Sequence, residues 1–193
     1  MALDLLKFCF DNRGHLENYI DWTIDARTWG LGDFQRFLKS FQTEKLPTET
    51  VFIYKDGLIV GSGRIAECRP YPPQIMYFIA KEWEGKGLGY AIGKKLLEQA
   101  FEVRGYHEVE ALVDATNLRS QALIERLGGV KHDNWYGKPH ALKESGHMYV
   151  YRFINPDPHK RVADQSTYPS QRNRATYLND GLYTYLISFL PRD

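Results

Sequence analysis

One stretch near the middle of the chain constrains the fold more than any other. Gln74–Ala80 is rich in aromatic and β-branched residues, which favour a strand. It leads through the glycine-rich turn Gly85–Gly89 into residues 88–101, where apolar side chains recur with a period near 3.6. A further strand is predicted at Glu108–Asp114. Strands on both sides of a helix predict a mixed α/β layer with at least one parallel pair of strands.

The flanking segments extend this pattern. Lys55-Asp56-Gly57 carries the Asp-Gly signal of a tight turn, so a hairpin is expected between the strands Val51–Tyr54 and Leu58–Cys68. Residues before Thr48 are mostly helical in pattern, and a short helix, Leu118–Leu127, ends at Gly128-Gly129. The last strand of this region is predicted at Gly146–Ile154.

The chain of 193 residues has the length of one ordinary domain with an appendage. We expect the domain to span residues 1–154. Residues 155–193 form an extension that is polar at first and then apolar at Leu182–Leu190. The composition predicts a linker and an element that packs on the body or on a second subunit, so a homodimer is one possible assembly.

Composition excludes several classes of function. Lys and Arg total 25 against 24 Asp and Glu, which does not favour a nucleic-acid partner. The longest apolar runs fall far short of the roughly 20 residues of a membrane span, and the start lacks the pattern of a secretory signal. The two cysteines form no CxxC pair, so neither a disulfide framework nor a zinc site is suggested. We expect a cytoplasmic protein without a metal.

Two glycine motifs in the sequence are rejected as nucleotide sites. Gly61–Ala66 matches G-x-G-x-x-A but lies inside a strand, whereas the dinucleotide fingerprint needs a turn that opens a helix. Gly93-Lys94 resembles the end of a P-loop, but Leu88 stands where the first glycine belongs and Lys95 replaces the Ser or Thr.

The turn Gly85–Gly89 has the right context for an anion site because it follows a strand and opens a helix. Glycines let the backbone approach a ligand, and the first N–H groups of a helix have no partner within it. Those amides and the positive end of the helix dipole suit a pyrophosphate, with Lys86 as an added charge. The alternative is a strand–helix connection that is glycine-rich for structural reasons alone.

Two segments resemble the motifs of the GNAT acyltransferase superfamily. Phe78–Gly89 is similar to its motif A, Q/R-x-x-G-x-G/A, and Asp114–Gly128 is similar to N-x-x-S/A-x-x-L-x-E-K/R-x-G-F. The Asn-x-x-Ser and Glu-Arg-Leu-Gly forms resemble the ribosomal-protein N-terminal acetyltransferase branch. The chain departs from the pattern at Glu84, where the family has Gln or Arg, and at Gly129, where it has an aromatic residue. With Glu84 in this position, pyrophosphate binding is expected to depend on backbone amides rather than on net charge.

The resemblance implies a mostly antiparallel central sheet flanked by helices and a transfer of acetyl from acetyl-CoA to a primary amine by direct attack. The acceptor is a protein N-terminus or a small amine. A bulge in the strand Gln74–Ala80 would separate it from Glu108–Asp114, and the open strand edge would pair with pantetheine. A backbone N–H near Ile79–Ala80 would stabilise the oxyanion. The implied cofactor-binding residues are Ile79, Ala80, Lys81, Gly85, Lys86, Gly87, Leu88, Gly89, Tyr90 and Asn117. The alternative role of Asn117 is a helix cap before Leu118, and the two roles are compatible.

Catalytic residues are harder to assign. The acid in much of the superfamily is a Tyr at the position of Ile124, so Ser120 is the expected replacement, with Tyr136 as a second option. Glu67 is the expected base, acting through water. The other candidates for the base are Glu108, Glu110 and His132, and Cys9 or Cys68 as an acetyl-carrying nucleophile is the less favoured route.

A non-catalytic acyl-CoA-binding or interaction module is the competing hypothesis. It is motivated by Glu84 and by the absence of a Tyr at Ile124. Leu182–Leu190 would then be its partner-facing element.

Overall fold

The structure is a computed structural model that describes residues 7, 8, 10–12, 14, 15, 32, 33, 50–67, 70–132 and 148–158. For residues 48–49, 173–179 and 182–189 it describes the backbone alone. Tyr136, Cys9, Cys68 and Leu190, the last residue of the segment Leu182–Leu190, lie outside the described residues.

One sheet organises the described chain. Its strands are β1 (Thr48–Lys55), β2 (Leu58–Ala66), β3 (Gln74–Ile79), β4 (Glu108–Asp114), β5 (Val130–His132), β6 (Met148–Ile154), β7 (Asn173–Asn179) and β8 (Leu182–Phe189). They lie in the order β5-β6-β4-β3-β2-β1-β8-β7. Among the strands that the structure describes, β3 and β4 run parallel and the other neighbouring pairs are antiparallel. The expected mixed, mostly antiparallel sheet is confirmed.

Helices cover both faces of this sheet. Helix α1 (Leu88–Glu98) continues through a π turn (Gln99–Val103) and packs on β1, β2 and β3, and α2 (Leu118–Arg126) packs beside it on β4. On the opposite face, Phe8 packs against Phe78 of β3 with ring centroids 5.2 Å apart. Among the described residues, no helix is long and apolar enough to cross a membrane.

The sequence located most of these elements correctly. The β1–β2 turn has positive φ at both Asp56 and Gly57, as the Asp-Gly signal requires. Strand β5 was not predicted, because its three residues are mostly exposed and show no apolar alternation. Strand β7 was not predicted either, since it follows a polar, proline-containing stretch.

The C-terminal extension adds two strands to the edge of the sheet. Strand β8 pairs antiparallel with β1 from Thr48↔Phe189 to Lys55↔Leu182, and β7 pairs with β8. The apolar end of the extension therefore adjoins the body of the same chain. The body itself reaches Asn155, which is buried and donates from its backbone N to His107 O at 2.8 Å.

Glycines in β2 explain one of the rejected motifs. A Cβ at Gly61 would lie 2.7 Å from the Ile79 side chain, and one at Gly63 would lie 2.4 Å from Ile92. A Cβ at Gly63 would also lie 2.9 Å from Leu96, so Gly63 accommodates the close approach of α1 to the sheet, whereas the atom nearest to Gly61 belongs to the neighbouring strand β3. Gly93 has a different role: it accommodates the end of α2, since a Cβ there would lie 2.3 Å from the Leu127 side chain.

Tyr151 joins the sheet to α2 through a hydrogen bond. Its side chain is fully buried in β6, and its hydroxyl donates to Glu125 Oε1 at 3.1 Å. Burial, followed by the hydrogen bond and negative charge of Glu125, raises the pKa of Tyr151 to about 12. The folded protein thus holds this proton in a range where an unfolded tyrosine releases it.

Tyr151→Phe should lower the free energy of unfolding by about 1 kcal/mol at pH 7, because a buried hydrogen bond to α2 is lost. The stabilisation from Tyr151 is fully present below pH 10 and is lost as pH rises toward 12, since only the unfolded chain ionises in that window. Urea unfolding between pH 8 and 12 measures both effects.

Tyr71→Phe, at an exposed tyrosine, is the control for this prediction. Superimposable stability–pH curves for the wild type and Tyr151→Phe would contradict it.

Candidate active site

Strands β3 and β4 form the walls of a gap. They share one register position, Gln74↔Glu110, where Glu110 N donates to Pro73 O at 2.8 Å. Beyond this point no further Cα partners join the two described strands. Strand β3 stays in continuous register with β2 from Gln74 to Ile79, so the gap forms without the expected bulge in β3.

Along β3, the backbone hydrogen-bonding groups of successive residues point alternately toward the gap and toward β2. Pro73 O points toward β4, whereas Ala80 N donates to Val60 O of β2 at 2.9 Å. Because successive residues of a strand point their hydrogen-bonding groups to opposite sides, the N–H groups of Tyr77 and Ile79 face the gap. Within the expected region Ile79–Ala80, the Ala80 N–H is bonded inside the sheet, so the Ile79 N–H remains as the expected oxyanion donor. The Tyr77 N–H, which lies outside that region, faces the gap as well.

The glycine turn has the geometry of a backbone anion site. Gly85 and Gly87 have φ of 72° and 79°, and Gly87 is the N-cap of α1. The first bond of the helix is Ala91 N to Gly87 O at 3.1 Å, so the amides of Leu88, Gly89 and Tyr90 precede it. No side chain of the described chain caps these amides, and a Cβ at Gly87 would meet nothing within 4 Å. Open space beside unbonded amides fits a diphosphate.

The charge of Glu84 is compensated. Its carboxylate forms an ion pair with Arg119, in the first turn of α2, and lies 2.9 Å from His15 Nε2. The Arg119 guanidinium also lies 3.6 Å from the position of a Cβ on Gly85. The carboxylate that the sequence placed beside the pyrophosphate is thus accompanied by a fixed cation at the same turn.

Two further contacts shape the turn. Lys86 Nζ lies 4.2 Å from the centre of the Trp83 ring, a cation–π contact that holds the amine beside the turn. Lys81 N donates to Asn12 Oδ1 at 3.0 Å. Through Asn12 and His15, helical residues near the N-terminus are in contact with the proposed cofactor turn.

Asn117 and Ser120 lie in the first turn of α2. Asn117 Oδ1 accepts from Ser120 N at 3.0 Å, so Asn117 is the helix cap that the sequence allowed as its alternative role. Ser120 Oγ lies 3.0 Å from the hydroxyl of Tyr77 on β3. Burial raises the pKa of Tyr77, and the Ser120 contact lowers it by less, so the phenol stays protonated near neutral pH.

Packing explains the two unusual residues of the second motif. Ile124 is buried in the core and offers no proton. A Cβ at Gly129 would lie 2.7 Å from the Ile124 side chain and 2.9 Å from the Phe153 ring. Phe153 therefore occupies the space beside Gly129 and leaves no room for a side chain there.

The candidate bases lie apart from the hydroxyl pair. Glu67 follows β2, next to the closed end of the gap, and accepts from the Tyr106 hydroxyl at 2.9 Å. Glu110 is fully buried and accepts from Arg152 Nη2 at 2.9 Å, while Glu108 lies 3.7 Å from Arg152 Nε. His132 ends β5, an edge strand that β6 and β4 separate from β3.

Sequence reasoning missed three residues at this site. Tyr77 was read only as part of a strand, although its alternation with Ile75 and Ile79 places it on the helix-covered face. Arg119 lies inside the Asn-x-x-Ser motif, and no pattern in the sequence indicates that it pairs with Glu84. His15 is 69 residues from Glu84, a separation at which no local pattern applies.

The site thus combines a pair of parallel strands that separate after one register position, a glycine turn that opens a helix, and a capped second helix. The chain belongs to the GNAT acetyltransferase family, whose model, described as "Acetyltransferase (GNAT) domain", matches residues 4–130. This confirms the family resemblance read from the two motifs.

Known proteins similar to the chain agree with this family. YdaF of Bacillus subtilis (strain 168), named as a candidate ribosomal N-acetyltransferase, is 42% identical over 55 residues, which is 28% of this chain and 30% of that protein. RimL, a ribosomal L7/L12 α-N-protein acetyltransferase solved with coenzyme A, gives a TM-score of 0.68 at 14% identity and covers 79% of this chain and 88% of its own. MccE, a microcin C7 self-immunity acetyltransferase solved with acetyl-CoA and AMP, gives 0.65 at 19%, covering 79% and 86%. At these identities the two structures show the fold.

The ion pair of Glu84 with Arg119 yields a test. We expect Glu84→Gln and Arg119→Gln to be coupled by about 0.5 kcal/mol in a double-mutant cycle, because Arg119 is largely exposed and solvent screens the pair. The coupling should shrink in high salt. Urea unfolding of the four proteins measures it.

Glu98→Gln is the matched control, since Glu98 pairs with Lys95 on α1 rather than with Arg119. Equal destabilisation by Glu84→Gln in the wild-type and Arg119→Gln backgrounds would contradict the pair.

Proposed function

We propose that this protein transfers the acetyl group of acetyl-CoA to a primary amine. The observation that carries the proposal is the gap between β3 and β4, which opens beside the unbonded amides that begin α1. A diphosphate held at Gly85–Gly87 would direct the pantetheine arm along the free edge of β3.

The residues present fit acetyl-CoA as a substrate. The amides of Leu88, Gly89 and Tyr90 would bind the diphosphate, and Arg119 would add a cation at Gly85. The backbone groups of Tyr77 and Ile79 would pair with the amides of pantetheine as a neighbouring strand does. Lys81 and Ala80 then contribute through the shape of the turn, since both of their N–H groups are bonded inside the protein.

Acid and base serve different atoms under this proposal. Ser120 Oγ, which contacts the Tyr77 hydroxyl on the helix-covered face of the sheet, would supply a proton to the departing sulfur. Glu67 lies near Gln74 of β3, and Gln74 is about 10 Å from Tyr77 at the rise of a strand. Glu67 would accept the amine proton through water. Glu110 is less suited to this role because it is fully buried and bonded to Arg152.

The amine would reach the gap from the face opposite α1 and α2. Met76 of β3 and Leu112 of β4 lie on that face and are 46% and 38% exposed, so apolar surface is accessible on both walls. We propose a protein N-terminus as the acceptor class, because the Asn-x-x-Ser form and the names of YdaF and RimL favour it over a small amine.

The non-catalytic module loses much of its motivation. The charge of Glu84 is paired with Arg119, and the hydroxyls of Ser120 and Tyr77 would compensate for the absence of a Tyr at Ile124. Mass spectrometry of peptide acceptors incubated with acetyl-CoA decides between the two functions. Acetylated N-termini support the enzyme, and tight CoA binding with no product on peptides or small amines supports the module.

Gly87→Ala should weaken acetyl-CoA binding about tenfold, because the added methyl occupies the space in which a diphosphate approaches the amides. Calorimetric titration measures the loss.

Gly57→Ala is a closely matched control. Gly57 also has φ of 79° and open space around its Cβ, so the backbone strain is the same, but it lies in the β1–β2 hairpin. Equal affinities for Gly87→Ala and Gly57→Ala would contradict the proposed turn.

A further inference from the structure

The hydroxyl pair of Tyr77 and Ser120 joins the two sides of the gap. Tyr77 projects from β3, and Ser120 projects from the first turn of α2, which follows β4. Their oxygens are 3.0 Å apart, and either oxygen has the geometry to donate. The contact connects residues 43 positions apart, at the place where the proposed cofactor would pass.

The direction of this hydrogen bond follows from what Ser120 must do. A serine hydroxyl carries one proton, so it can donate to a sulfur only if it accepts from Tyr77. The tyrosine is suited to donate, because burial keeps its phenol protonated. The backbone of Ser120 is fixed by its N–H bond to Asn117 Oδ1, which leaves the rotation of the hydroxyl as its main freedom.

We propose that Tyr77 is a positioning residue that directs the Ser120 hydroxyl at the sulfur of CoA, an inference that rests on the proposed function. The amine nitrogen bonds to the acetyl carbon, the carbon–sulfur bond breaks, and the electron pair stays on sulfur. The sulfur takes the Ser120 proton, Ser120 Oγ takes the Tyr77 proton, and water restores the phenol. The proton lost by the amine leaves through the base to water, so the transfer balances.

The first measurement is the pKa of the thiol of bound CoA. The titration is monitored by the ultraviolet absorbance of the thiolate. A hydroxyl that donates to sulfur stabilises the thiolate, so Ser120→Ala should raise this thiol pKa by about one unit. Tyr77→Phe should raise it by about half as much. In the Ser120→Ala background Tyr77→Phe should add nothing, because Tyr77 acts through Ser120.

The second measurement is turnover. Tyr77→Phe should lower kcat about tenfold, with little change in the affinity for CoA, and should have no effect on kcat when Ser120 is already alanine. Tyr151→Phe is the control for a structural role, since it removes a different tyrosine hydrogen bond to α2 without touching Ser120. The inference would be overturned if Tyr77→Phe and Tyr151→Phe changed the thiol pKa of bound CoA by the same amount.

The remaining outcomes separate the inference from the proposed function. If the thiol pKa rises in the variants as predicted but no acetylated product forms, the role of Tyr77 is supported and the transfer reaction is ruled out. If acetylated product forms but Tyr77→Phe leaves the thiol pKa unchanged, the inference alone is overturned. Tighter CoA binding by Tyr77→Phe would also overturn the inference, because the hydroxyl pair would then close the gap. A wild-type protein that fails to bind CoA would overturn both the inference and the proposed function.

Discussion

The site depends on two parallel strands that pair once and then separate. The pairing at Gln74↔Glu110 is supported on its far side by the buried Glu110, which accepts from Arg152 of β6 through both Nε and Nη2. A buried ion pair of this kind is costly to break from one side, so the closed end of the gap is well fixed. Beyond it, β3 pairs with β2 and β4 pairs with β6, and no further register position joins the described residues of β3 and β4.

Electrostatics at the open end come from two separate parts of the chain. The helix α1 supplies amides and the positive end of its dipole, and α2 supplies Arg119. Glu84 pairs with Arg119 and lies 2.9 Å from His15 Nε2, so a residue that is unfavourable for phosphate binding in the linear sequence becomes the group that holds a cation beside the turn. Under the proposed function, the carboxylate positions this charge and the backbone amides would provide the binding groups.

The sequence predicted what local chemistry determines. The Asp-Gly hairpin, the glycine turn before α1 and the capping Asn117 each depend on residues within one turn of the chain, and each was located correctly. The family was also accessible, because two motifs occur in order at the expected separation.

The rest depends on contacts that no local pattern records. The pairing of Glu84 with Arg119 spans 35 residues, and the Tyr77–Ser120 contact spans 43. A bulge was expected to open the gap, but the separation arises because β3 and β4 follow different neighbours in the sheet. Strand β5 is too short and too exposed to be predicted from its residues alone.

A crystal structure of the protein grown with coenzyme A tests the central claim most directly. The account predicts that pantetheine lies between β3 and β4, hydrogen-bonded to the backbone of Tyr77 and Ile79, with the diphosphate on the amides that begin α1 and the sulfur near Ser120. Coenzyme A bound elsewhere on the protein, with β3 and β4 unoccupied between Tyr77 and Ser120, would contradict it.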